Sequence, residues 1–156
     1  MSESDIIDLA ESLIPDHQYF DPQLFTEMSA LAEGANISIA EAIIVGGFTD
    51  FVDTVRSATG GATPPELHED DCTAVLVPDS RANGQGFLAQ TWDMHDTATD
   101  HVLLLRVKPD ECPSALIFTT TGCLGQIGMN DQGVAVGINN LTSSTGKVGV
   151  VWPSVV

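Results

Sequence analysis

Basic side chains are scarce in this sequence: five lysines and arginines stand against 22 aspartates and glutamates, for a net charge of −17. A protein that grips nucleic acid needs a basic footprint to displace counterions from phosphate, so no nucleic-acid partner is expected. Long apolar runs are missing too; none reaches the roughly 18 residues that a membrane-spanning helix requires, and no membrane partner is expected. The opening MSESDIIDLAESLIP is acidic and periodic, without the basic n-region and apolar h-region of a secretory signal. A cytoplasmic protein is the expectation. Only three cysteines occur, Cys72, Cys112 and Cys123, an odd number without paired spacing, which argues against a disulfide framework. No CxxC or HxxxH pattern supplies a zinc site. His68, Glu69, Asp70 and Asp71 cluster, but the group reads as a solvated linker rather than a metal site.

What remains is a globular composition, 43% hydrophobic and 17% charged. The acidity is uneven. Fifteen of the acidic side chains precede position 72, where Arg56 is the single lysine or arginine; seven acidic and four basic ones follow. A solvated, salt-adapted surface accounts for this, and a separable prosegment is the sharper reading.

The first half has helical periodicity. Ser4 is placed to cap a helix whose face is Ile6, Ile7, Leu9, Ala10, Leu13 and Ile14, closed by Pro15. Asp21-Pro22 is a second start, with Leu24, Phe25, Met28, Leu31 and Ala32 as its stripe and Gly34 as its stop. Ser38 and Glu41 have capping-box spacing and open a third helix through about Val55. Gly46-Gly47 weakens that helix in its middle, and a close helix crossing is one reason to keep it. Residues 57–71, SATGGATPPELHEDD, read as a linker.

From Cys72 onward the period changes to that of strands. CTAVLVP and GFLAQTW read as a hairpin joined by turn chemistry in DSRANGQ. HVLLLRVKP, SALIFTTT, GCLGQIGM and VAVGINNL follow without intervening helices, which predicts an antiparallel meander. The fold class is therefore α+β.

A cysteine at the junction of linker and sheet has two readings. A lone cysteine is commonly a small buried hydrophobe. It is a nucleophile only where a base takes its proton, because the thiolate is the reactive form. Cleavage between Asp71 and Cys72 would supply that base, since Cys72 would gain an α-amino group with a typical pKa of about 7.7–8.0. Cys112, in PDECPS, reads as a turn cysteine, and Cys123, in TTGCLG, as a core or near-site residue.

The stretches DDCTAVLVP, GQGFLAQTWDMH and IGMNDQGVAVGINNL, in this order and spacing over about residues 70–142, resemble the acyl-coenzyme A:6-aminopenicillanate acyltransferase family. That family (peptidase C45 type) belongs to the N-terminal-nucleophile hydrolases, with penicillin V acylases and bile salt hydrolases. AEGANISIAEAI resembles part of the prosegment of such precursors. The resemblance implies an αββα sandwich, here only partly present, behind a helical prosegment. Its boundaries are 1–56 for the prosegment, 57–71 for the linker ending at the self-cleavage site, and 72–156 for the first part of the catalytic domain. Family members run further, with another oxyanion asparagine and a basic residue downstream, so the sequence is expected to be the front piece of a longer zymogen.

The same resemblance implies that Cys72 is the nucleophile exposed by autoproteolysis after Asp71. Asp93 then orients the new α-amino group, Asn139 helps to stabilise the oxyanion, and Trp92 lines the substrate site beside the acid. Read alone, Asp93 is a turn or capping acid, Trp92 fills core, Asn139 ends a strand, and Gly128 and Gly133 are backbone devices. Gln90 stands where bile salt hydrolases carry arginine, which favours the acyltransferase branch. The implied reaction acts on C–N amide or acyl thioester bonds through a thioester intermediate. It takes a small acyl substrate such as acyl-coenzyme A and an amine acceptor, or water in an amidohydrolase, and no cofactor. The prosegment is itself a partner. The rival to an enzyme is an unprocessed scaffold or binding domain of the same fold.

Overall fold

Helix α1 (Glu3–Phe20) starts from a capping box at its first residues. The computed structural model describes residues 1–58, 60, 72–94, 96–140 and 147–155. Ser2, rather than Ser4, is the cap: its hydroxyl accepts from Asp5 N–H at 3.2 Å, and its own N–H donates to Asp5 Oδ2 at 2.7 Å. Ser2 wins because an acid stands three residues on to reciprocate, whereas Ile7 stands there for Ser4. The backbone N–H and hydroxyl of Ser2 hold the Asp5 carboxyl below its ordinary range.

Pro15 does not close this helix; it sits inside it. Proline has no N–H to donate, and an interior proline ordinarily costs about 3 kcal/mol or more. Leu13 and His17, on either side of it, are both buried, so the turns flanking the defect are held by tertiary packing. Helix α2 (Pro22–Ala35) begins as expected, with Asp21 Oδ1 accepting from Gln23 N–H at 2.8 Å and Leu24 N–H at 3.1 Å. Its stop is Asn36, not Gly34. Asn36 takes a left-handed conformation at φ 56°, which its short side chain tolerates, and Ile37 N–H returns to Ala32 O at 3.0 Å.

The expected third helix is two. Helix α3 (Ile39–Gly46) opens on the Ser38–Glu41 capping box, and Gly47 separates it from α4 (Phe48–Ala58). The glycines admit loop segments rather than a crossing helix. A Cβ on Gly46 would lie 3.5 Å from Gly122 O, and one on Gly47 would fall on the Val151 side chain. No single described helix is long and apolar enough to cross a membrane; α2 and α3 pass that test only as a pair bent by 106°.

The chain divides into two compact units, Met1–Leu67 with Gly122–Leu124 and Thr142–Val156, and His68–Thr121 with Gly125–Leu141. In the first, Ala10, Leu13, Met28, Ala32, Ile43 and Val151 form one core. Buried and half-buried polar groups secure the segment around Val151. Val151 N–H donates to His17 Nε2 at 3.2 Å, which leaves His17 Nδ1–H to donate to Leu13 O at 2.9 Å. Trp152 N–H donates to Asp50 Oδ2 at 3.0 Å and its indole N–H to Thr49 Oγ1 at 2.8 Å. Cys123 is buried here and donates to Gly46 O at 3.1 Å.

The second unit holds the strands, all antiparallel. Strands β1 (Ala74–Val77) and β2 (Phe87–Gln90) form the hairpin, with Leu76 opposite Leu88 and Val77 opposite Phe87. Its connection turns through Asn83 at φ 54° and Gly84 at φ 89°. Strands β3 (Val102–Val107), β4 (Ala115–Thr120), β5 (Ile127–Asn130) and β6 (Ala135–Val136) make a four-stranded meander in sequence order. Between β5 and β6, Asn130 Oδ1 accepts from the N–H groups of Gln132 and Val134, both at 3.0 Å, and Gly133 turns at φ 83°. Gly128 lets two strands approach, since a side chain there would meet the backbone of Leu116 and Ile117. Helices with antiparallel sheet make the protein α+β, as expected.

Two outcomes follow for the first unit. Gly47→Ala forces a methyl onto Val151 and is expected to cost about 1–3 kcal/mol in a urea unfolding titration. Burial raises the Asp50 carboxyl above its ordinary value, against the pull of the Trp152 N–H, and Asp53 adds to the rise. Stability tied to the protonated form is complete below about 3.8, the ordinary aspartate value, and is lost as pH climbs through the raised one. Asp50→Asn keeps an acceptor for Trp152, so its melting temperature should exceed the parent's by more at pH 7 than at pH 3.

Candidate functional site

Cys72 and Thr73 precede β1, so the sheet begins two residues after the cysteine rather than at it. Backbone pairing nonetheless continues past the strand end: Thr91 N–H donates to Thr73 O at 2.9 Å. Cys72 is half-buried and free of any disulfide. Its position is fixed from a distant part of the chain, because the Asn139 carboxamide donates from Nδ2 to Cys72 O at 2.6 Å. A carboxamide carries two N–H donors on one nitrogen.

Asp93 approaches through an intermediary. The Thr91 hydroxyl accepts from Thr73 N–H at 3.1 Å and donates to Asp93 Oδ2 at 3.2 Å. One hydroxyl thus connects the backbone after the cysteine to the carboxylate. Asp93 is exposed, and the Thr91 contact restrains its rotamer where packing does not. Trp92 packs edge-to-face on Phe118, with centroids 5.8 Å apart and planes at 80°.

Cys72, Asp93 and Asn139 therefore belong to one unit, with Asn139 on the cysteine's backbone carbonyl and Asp93 one hydroxyl removed from the Thr73 N–H. Asp71, the residue before the expected cut, lies outside the described residues, as do His68, Glu69, Asp70 and most of the linker. Cys112 is exposed in the β3–β4 turn. Thr91 was not marked by the sequence, and Gln90 stood out only by resemblance, with no sign of its contacts. A signal for Thr91 existed in its two-residue spacing from Asp93, which lets a hydroxyl reach a carboxylate along an extended chain. The pairing of Gln90 carried none, since its contacts are to backbone far away in the chain.

No family model matches the sequence. The chain is similar to the acyl-coenzyme A:6-aminopenicillanic-acid-acyltransferase 40 kDa form of Emericella nidulans, with 26% identity over 120 residues. The match takes in 77% of this chain and 30% of that protein, so the chain spans under a third of the length of the curated relative.

Thr91→Val deletes a hydroxyl with two partners and is expected to lower stability by about 1 kcal/mol. Thr91→Ser keeps the oxygen and should hold most of it, as read by denaturant midpoints at unchanged slope.

Proposed function

We propose that this chain is the front part of a self-processing acyltransferase or amidohydrolase of the N-terminal-nucleophile kind, with Cys72 as nucleophile. The observation that carries the reading is the 2.6 Å bond from Asn139 to the Cys72 carbonyl, which joins residues 67 positions apart. The similarity to an acyltransferase adds to it. In this reading residues 1–56 are the prosegment, 57–71 the linker, and 72–156 the start of the catalytic domain. Apolar side chains on both faces of the four-stranded sheet, Leu104 at 71% exposure and Met129 at 55% on one and Leu103 at 40% on the other, suit a sheet made for burial on both sides. A sheet wetted on one face alternates instead. The layered αββα sandwich is the architecture that fits.

Maturation starts with attack of Cys72 Sγ on the Asp71 carbonyl carbon. The C–N bond breaks, the thiol proton passes to the departing Cys72 nitrogen, and a thioester remains. Water hydrolyses it, leaving the Asp71 carboxylate and a Cys72 with free thiol and amine. In turnover the α-amine takes the thiol proton while sulfur adds to an acyl carbonyl. Asn139 gives its second N–H to the oxygen that becomes negative; loss of one such donor costs about 10²–10³ in rate at comparable sites. The leaving group departs with the proton, and an amine or water takes the acyl group from sulfur. Asp93, steadied by Thr91, orients the α-amine. Transfer to an amine is the favoured direction because the relative is named as an acyltransferase.

Intact mass and N-terminal sequencing test the first step. The recombinant protein should yield a fragment beginning Cys-Thr-Ala-Val, and Cys72→Ala should stay whole. A parent that remains one uncut chain, or a Cys72→Ala variant that is cut like it, overturns the proposal.

A further inference from the structure

The segment that carries Asn139 leaves β6 at Val136 and runs through residues 137–140 with no strand of its own. Something other than a ladder must fix it, because a donor that is displaced by an ångström stabilises an oxyanion poorly. Gln90, at the end of β2 and half-buried, does so. Ile138 N–H donates to Gln90 Oε1 at 2.7 Å, and Gln90 Nε2 donates back to Ile138 O. A carboxamide has the donor and acceptor edges of a peptide group, so this side chain acts as one rung of a β-ladder. Gly137 makes room for the rung: a side chain there would meet Gln90 Oε1 and lie 3.7 Å from Leu88 Cδ2. The hairpin that leads from Cys72 therefore also grips the peptide next to Asn139.

We propose that Gln90 is a positioning residue, which sets the Asn139 carboxamide against Cys72 by holding the Ile138 peptide on both of its edges. The inference rests on the reading of Cys72 and Asn139 given above. It excludes close substitutes. Asparagine is one carbon too short for the distance, and glutamate places an oxygen against the Ile138 carbonyl where a donor is needed. Methionine matches the length and has neither edge.

The test separates steps that form an oxyanion from one that does not. Acylation of Cys72 by p-nitrophenyl acetate builds negative charge on the carbonyl oxygen, whereas alkylation by iodoacetamide displaces iodide without one. Both are followed by mass on the peptide with Cys72 at its amino terminus, so Cys112 and Cys123 do not interfere. Gln90→Met should slow acylation by about 10²-fold, the scale of an ångström's misplacement, and leave alkylation unchanged. In an Asn139→Ala background it should add nothing further, because the residue it positions is gone. Gln90→Glu keeps the acceptor for Ile138 N–H and should lose less; if circular dichroism finds the methionine variant unfolded, the glutamate variant carries the same cycle. Acylation at the parent rate, losses that multiply with Asn139→Ala, or alkylation falling in step would each overturn the role of Gln90. If Asn139→Ala alone acylates normally, the reading of the site fails and this inference with it; if that variant is slow and the Gln90 variants are not, the site stands and only the inference falls.

Discussion

The Cys72 backbone carbonyl takes its partner, the Asn139 carboxamide, from a distant part of the sequence. The Asn139 donor to Cys72 O closes a span of 67 residues with one hydrogen bond. Everything between contributes to that closure. The β1–β2 hairpin sets the line of the chain after Cys72, and the antiparallel meander sets where β6 ends. The Gln90 carboxamide fixes the last residues before the asparagine. A neutral carboxamide suits such a place, since it holds the carbonyl without bringing in a group that titrates.

The helical unit is built on a different balance. Its apolar core is small in side-chain volume, with Ala10, Ala32, Ala40 and Ala42 allowing close approach of α1, α2 and α3. Polar groups, one buried and one half-buried, add direction to that packing. His17 and Asp50 both accept backbone N–H groups from the segment at Val151–Trp152, and each would leave a donor unsatisfied if removed. A buried orphan of this kind costs about 1–3 kcal/mol. The two acceptors differ in kind: neutral imidazole accepts without a desolvated charge, while Asp50 is held at a raised pKa by burial.

Local chemistry was legible in the sequence, and distant chemistry was not. Asp21-Pro22 and Ser38–Glu41 announce helix starts because both partners of each cap lie within four residues. Strand alternation and turn residues likewise put β1 to β6 near their places. Pro15 misled because its defect is local, while the packing of Leu13 and His17 that overrides it is tertiary. Gly46-Gly47 was visible as a weakness, but Val151, which occupies the vacated space, is about a hundred residues away and carries no mark of it. The same division runs through the site. Cys72, Asp93 and Asn139 stood out by resemblance, and the structure brings Asn139 onto Cys72. The pairing of Gln90 with Ile138 escaped notice because a side chain that pairs with a peptide bond can be matched by any sequence at its partner; only Gly137 is demanded, and a lone glycine in a turn-rich stretch has many explanations.

The central claim is that Cys72 carries an acyl group with Asn139 beside it. The most direct measurement incubates the protein with acetyl-coenzyme A, maps the added mass by peptide, and then adds hydroxylamine. The account requires acetyl on Cys72 in preference to Cys112 and Cys123, followed by its release as acetohydroxamate. Acetylation spread over the three cysteines, or absent from Cys72, would contradict it.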